Sequence, residues 1–213
     1  MWNLSIQVHY KNKIFVILGI IALISIIVKL YSTNFDLPIY SDNFDIAMRS
    51  FAHLGGNFDV SVNRNFGLPL LQSPFLLLVN SNNFLDYSSI IRLFGIGVST
   101  TSIFVMYLLA RKFFNEKYSI IAVSLFAFSP QLNHSAGLGE TEALFILSLM
   151  CSLYFILRQT NDRLIFLSFV FAGIAYTIRP MGMIMIIILL IIYLINFRKN
   201  LKPSKFVFCI FLF

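Results

Sequence analysis

Asp36, Asp42, Asp45, Arg49, His53, Asp59 and Arg64 crowd the stretch from Tyr31 to Asn83, in a chain where only 12% of residues are charged. Carboxylates among bases and a histidine are the groups that take protons and neutralise anions. Its centre is Ser41-Asp42-Asn43-Phe44-Asp45. Phe44, Met48, Phe51 and Ala52 follow at helical spacing and Gly55-Gly56 supplies a stop, so a short helix starting at Ser41 or Asp42 is expected. Asp42 then has two readings. It caps that helix, worth about 1 kcal/mol, or it is a general base for an acceptor hydroxyl, worth about 10²–10⁴-fold in rate.

Four further ionisable groups stand at the edges of apolar runs. Arg92 and Arg179 either snorkel to the interface or offer a planar fork to phosphate oxygens. Arg49 and Arg64 are weaker candidates of the same kind. Glu140 and Glu142 follow Gly137-Leu138-Gly139 at the head of an apolar run, where the helix dipole favours a carboxylate and where they could also line a site. His53 and His134 show no metal-ligand spacing with the acids, so neither a metal nor any other cofactor is expected. Asn133-His134-Ser135 fits a short glycosylation sequon.

These groups must be held by a membrane. The 213 residues are 58% hydrophobic with a mean hydropathy of +0.83, beyond an ordinary soluble domain. The net charge of +7 would suggest nucleic acid in a soluble protein, but the bases fall at the ends of apolar runs, so no nucleic-acid partner is expected. Cys151 and Cys209 lie inside apolar runs, which argues against a disulfide framework.

The runs predict an all-α polytopic protein. A tail over 1–13 precedes a first span over 14–30, and an outer loop over 31–89 contains a short broken apolar element, Leu68 to Val79, with Pro69 and Pro74. Five more spans are expected at Ile90–Ala110, Ile120–Leu132, Glu142–Leu157, Leu164–Ile178 and Met181–Ile195, with a polar loop from Asn133 to Thr141. A seventh begins at Phe206 and stops at Phe213. Eight helical residues rise only about 12 Å, so the chain reads as the N-terminal part of a longer protein, inactive by itself.

Placing the N-terminus in the cytoplasm puts Lys11, Lys13, Arg111, Lys112, Lys117, Arg158, Arg163, Arg198, Lys199, Lys202 and Lys205 inside. Only Lys29, Arg49, Arg64, Arg92 and Arg179 remain outside, which satisfies the positive-inside rule. Seven of the nine acids fall on that outer side, although insertion rules ask nothing of acids.

The order of motifs resembles the N-terminal half of membrane glycosyltransferases of the C-type fold, the group of protein O-mannosyltransferases and bacterial aminoarabinose transferases. The similar parts are Ser41-Asp42-Asn43-Phe44-Asp45, Asn63-Arg64-Asn65-Phe66-Gly67-Leu68-Pro69-Leu70-Leu71, Arg92, Ser129-Pro130, Thr141-Glu142-Ala143-Leu144-Phe145 and Thr177-Ile178-Arg179-Pro180. The resemblance implies inverting transfer of a sugar from a polyprenyl-phosphate donor to a lipid, glycan or protein hydroxyl on the outer face, with no obligatory metal. It implies a first-loop Asp as base, which Asp42 matches best. Asn43 stands where the O-mannosyltransferases have Glu and the aromatic is displaced to Phe44, so Asp36 and Asp45 remain alternatives. A transporter or flippase of an anionic substrate is the rival reading, but it would place its polar groups at broken helices in mid-membrane. A non-catalytic scaffold is a third.

Overall fold

The computed structural model describes residues 2–39, 42–57, 66–158 and 162–197. Among them the chain forms nine helices and no strand. Three are long and apolar enough to cross a membrane: Lys13–Ser32 within α1 (Trp2–Ser32), α4 (Phe84–Ala110) and α7 (Thr141–Arg158). Only 28%, 33% and 28% of these spans is buried by protein, so most of each apolar surface is left for hydrocarbon. Two shorter apolar helices, α8 (Asp162–Ile178) and α9 (Gly182–Phe197), pack beside α7 around Ile156, Phe169 and Leu189. The expected seventh run, Phe206 to Phe213, lies outside the described residues.

Serines make the close helix contacts. Ser25, Ser88, Ser102, Ser119, Ser148, Ser152 and Ser168 are all buried, and small side chains let helix backbones approach without a hydrophobic drive. Most of these hydroxyls bond a carbonyl one turn back, as Ser88 Oγ does to the Phe84 carbonyl (3.0 Å) and Ser148 Oγ to that of Leu144 (2.8 Å).

The polar loop folds into two short helices at one end of the bundle. Helix α2 (Asp42–Leu54) starts at the expected place and ends before Gly55-Gly56, with Gly56 in the left-handed region at φ 76°. Its Ala47 packs in one cluster with Ile39, Leu76 and Ile91. Helix α3 (Gly67–Leu76) is ten residues long and contains Pro74, and its rise of about 15 Å is short of the hydrocarbon core. Ile46 joins Leu68, Leu144 and Ile178 in a second cluster, which brings α2 and α3 to the head of α7 and the tail of α8.

The expected third span and the polar loop after it are replaced by two helices. The first, α5 (Glu116–Ala127), begins where the Asn115 side chain accepts from the Tyr118 N–H (3.2 Å). Its 12 residues rise about 18 Å, less than the roughly 30 Å hydrocarbon core. Ser129 is pushed to ψ 120° by the proline that follows it, and Pro130 opens α6 (Pro130–Leu138). Gly139 closes α6 at φ 73°. The residues expected as loop are thus helical, because a proline start and a left-handed glycine stop bracket them.

Helix α6 lies directly on α4. A Cβ at Gly95 would sit 2.5 Å from the Ala136 carbonyl oxygen and 3.2 Å from Gly139 Cα. Gly95→Val is therefore expected to destabilise the bundle by about 1–3 kcal/mol through overpacking. Gly97→Val, on the open side of the same helix with nothing within 4 Å, should leave the unfolding temperature in detergent unchanged. Equal melting of the two variants would mean that α6 does not rest on Gly95.

Candidate functional site

Helix ends set the positions of the polar groups. Helix α4 begins at Phe84, capped by Asn83, whose side chain accepts from the Leu85 N–H (3.1 Å). Arg92 therefore sits a little over two turns into the helix and is only 2% exposed, so it does not snorkel to water. Its guanidinium donates to the Asn34 carbonyl, just beyond the end of α1. A buried guanidinium needs such partners, since desolvation penalises an uncompensated charge heavily.

Between the end of α1, α4 and α6 lies a cavity of about 180 Å³. Thr33, Asn34, Arg92, Asn133, His134 and Leu138 are among its walls. Asn133 is 6% exposed and its Oδ1 has no hydrogen-bond partner. That burial corrects the sequon reading, because a side chain packed inside α6 cannot reach a glycosylating enzyme. His134, next in the helix, is exposed.

The second polar group joins α7 to α8. Arg179, one residue past α8, donates from Nε to Thr141 Oγ1 (2.7 Å) and from Nη2 to Glu142 Oε1. Its guanidinium also stands over the Phe145 ring, 5.9 Å from the centroid. The side chains of Arg179 and Glu142 are 35% and 29% exposed, so the pair is reachable from outside the bundle. Two nitrogens are used, and Nη1 keeps its donors for another group. Glu140, outside the span, is pushed above the usual carboxylate range by burial; the Ser135 hydrogen bond opposes the shift and the nearby Glu142 adds to it.

Helix α2 carries the remaining candidates. Asp42 is its first residue, exposed and without a hydrogen bond or ion pair to any described side chain. Asp45 is ion-paired one turn on with Arg49, whose side chain is buried. Asp36 is exposed, its backbone N–H bonded to Asn34 Oδ1 (3.0 Å). His53 is buried at the far end of α2, about 16 Å of helix rise from Asp42. Arg64 and Ser41 lie outside the described residues.

The candidates thus share one end of the bundle but not one contact set. Asn43 Nδ2 donates to the Leu138 carbonyl (3.3 Å), tying the head of α2 to α6 beside the cavity. Ile46 packs where α7 begins and α8 ends. No hydrogen bond or ion pair joins Asp42 or Asp36 to Glu142 or Arg179. Among the described residues no three His, Cys, Asp or Glu side chains gather in a group that could hold a metal.

Three residues of this end of the bundle were not legible as such in the sequence. Asn34 contributes a backbone carbonyl, which no motif records. Thr141 carries a signal only through its place before Glu142. Asn133 stood out as a polar residue after Ser129-Pro130, but its local pattern pointed to a sequon.

Comparison with known families gives a match over residues 69–213 to dolichyl-phosphate-mannose-protein mannosyltransferase. The segment includes Arg92, Glu142 and Arg179 and begins after Asp42. No curated protein and no solved structure matches the chain. With most of its length covered, and with helices apolar enough to cross a bilayer, the chain belongs to the dolichyl-phosphate-mannose-protein mannosyltransferase family, membrane glycosyltransferases of the C-type fold that use a lipid-linked sugar.

Proposed function

We propose that this protein moves a sugar from a polyprenyl-phosphate donor, dolichyl or undecaprenyl, to an acceptor hydroxyl on the outer membrane face, with inversion at the anomeric carbon. The observation that carries the reading is Arg179, fixed at a helix end by Thr141 and Glu142 with Nη1 still available, inside the segment matched to the family. A lipid phosphate is already a good leaving group, so it requires charge neutralisation more than protonation. Arg179 supplies that, and Arg92 supports it from within the bundle. Glu142 lines the site and sets the Arg179 fork.

Asp42 takes the proton of the acceptor hydroxyl as that oxygen bonds to the anomeric carbon. The bond from carbon to phosphate oxygen breaks and the lipid phosphate leaves with the electron pair. Asp42 suits this role better than Asp45, whose carboxylate is engaged by Arg49. The acceptor is a lipid, glycan or protein hydroxyl.

Membranes carrying the protein expressed from its full reading frame, the form used for every transfer assay proposed below, should transfer sugar from a polyprenyl-phosphate hexose and not from a nucleotide sugar; use of the nucleotide donor would sink the reading. Orientation is checked in intact cells with an impermeant maleimide. A cysteine at exposed Asn82 should be labelled and one at exposed Lys117 should not. The reverse pattern would place the polar end inside.

A further inference from the structure

We infer that the end of the bundle opposite α2 and α3 binds the headgroup of an anionic phospholipid, through Lys112 and Arg158 beside Tyr154. Arg158 lies about 24 Å of helix rise from Glu142, so this lipid is a component of the membrane and not the sugar donor.

Two helices bring the cations together. Lys112 stands two residues past α4, and its Nζ lies over the Tyr154 ring, 6.0 Å from the centroid. Arg158 ends α7 four residues after Tyr154, which places it on the same face of that helix. Both bases are exposed, and among the described residues neither has an ion pair. Membrane insertion asks only that positive charge gather at one end of a span. It does not ask for a lysine laid on an aromatic ring one turn from an arginine, with a carboxylate on neither. A compact ammonium and a planar guanidinium at one place suit the oxygens of a phosphate.

The surroundings select a lipid over a soluble anion. Phe104 and Leu108 are exposed on α4 and lead to Lys112 at four-residue spacing. The Lys112 N–H donates to the Leu109 carbonyl (3.0 Å), which carries the helical path past Ala110. An acyl chain laid along Phe104 and Leu108 therefore brings its headgroup to Lys112. In the turn that follows, Phe113 and Phe114 are 65% and 54% exposed, and the Arg111 guanidinium donates to the Phe114 carbonyl (3.2 Å). Large aromatic side chains left open beside bases belong at the boundary between headgroups and acyl chains. A phosphate at that depth is a lipid's.

The test is native mass spectrometry of the full chain in detergent, titrated with phosphatidylglycerol or phosphatidylcholine and read as the affinity for the first lipid bound. Wild type should favour phosphatidylglycerol by about tenfold or more, since each base near an anionic headgroup contributes about fivefold. Lys112→Gln and Arg158→Gln should each lower the preference by about fivefold, and the double variant should abolish it. Lys117→Gln removes another exposed charge, from the first turn of α5, and should leave the preference unchanged. Because all three side chains are exposed, the variants should unfold at the wild-type temperature in lipid-free detergent. A wild type without the preference overturns the proposal, as does a preference that survives in the double variant or falls equally in Lys117→Gln. Displacement of the lipid by soluble glycerol phosphate at the same concentration also overturns it, because the apolar line would then contribute nothing.

Discussion

Asp42→Asn is expected to lower sugar transfer by about 10²–10⁴-fold, the range of a lost general base, while donor binding is retained. The substitution is chosen because Asn keeps the shape of the side chain, and the first-turn charge it removes from α2 is worth only about 0.3–1 kcal/mol. If Asp42 serves only to begin α2, the variant should transfer at the wild-type rate. Asp42 is the exposed first residue of that helix, and no described side chain engages its carboxylate. A proton acceptor must be reachable in this way. Asp45→Asn removes the partner of buried Arg49, so its main effect should be on the stability of α2. Asp36→Asn should have little effect on either quantity. Initial-rate assays and thermal unfolding of the three variants separate these outcomes. A larger rate loss in Asp36→Asn or Asp45→Asn than in Asp42→Asn would move the base to that residue.

Arg179→Ala is the second large effect, and a double variant makes it readable. Removing the guanidinium takes away the ion-pair partner of Glu142, whose Oε2 is already buried without a hydrogen bond, and the bond to Thr141. Because both side chains are about a third exposed, water screens part of the loss, so the stability change should be modest. The catalytic change should be larger. A hydrogen bond to a charged group is worth about 1.5–3 kcal/mol, or about 10- to 100-fold in rate. Glu142→Gln in the Arg179→Ala background should restore stability by removing the unpaired carboxylate, yet it should not restore transfer. Arg179→Lys should recover part of the rate, since a point charge replaces the fork. If the double variant recovers both stability and transfer, Arg179 serves Glu142 and not the lipid phosphate.

The fold is legible in the sequence where the controlling physics is local. The start of α2 near Asp42 and its stop at Gly55-Gly56 follow from spacing and backbone chemistry within a few residues. The apolar runs of α1, α4 and α7 are set by composition over a bilayer's length. In contrast, Asn133 to Leu138 read as a polar loop because Asn, His and Ser are poor helix formers in isolation. In the fold they form α6, since Ser135, Ala136 and Gly137 are buried against neighbouring helices and tertiary packing outweighs propensity. Arg92 showed the same limit. Its sequence neighbourhood allowed snorkelling, and only the earlier start of α4 and the nearby Asn34 carbonyl reveal that it is buried and bonded inside the bundle.

By itself the sequence determined that this is a helical membrane protein, which residues could take protons or meet a phosphate, and the family that the order of motifs resembles. These properties depend on composition, on charge at the ends of runs and on short motifs, all readable along one dimension. Only the tertiary structure decided which candidates meet: Arg179 with Glu142 and Thr141, Arg92 with the Asn34 carbonyl, and Asn43 with α6. Such pairings join residues tens of positions apart through glycine and serine contacts between helices. Their geometry depends on how closely the backbones approach, and no local pattern encodes that distance.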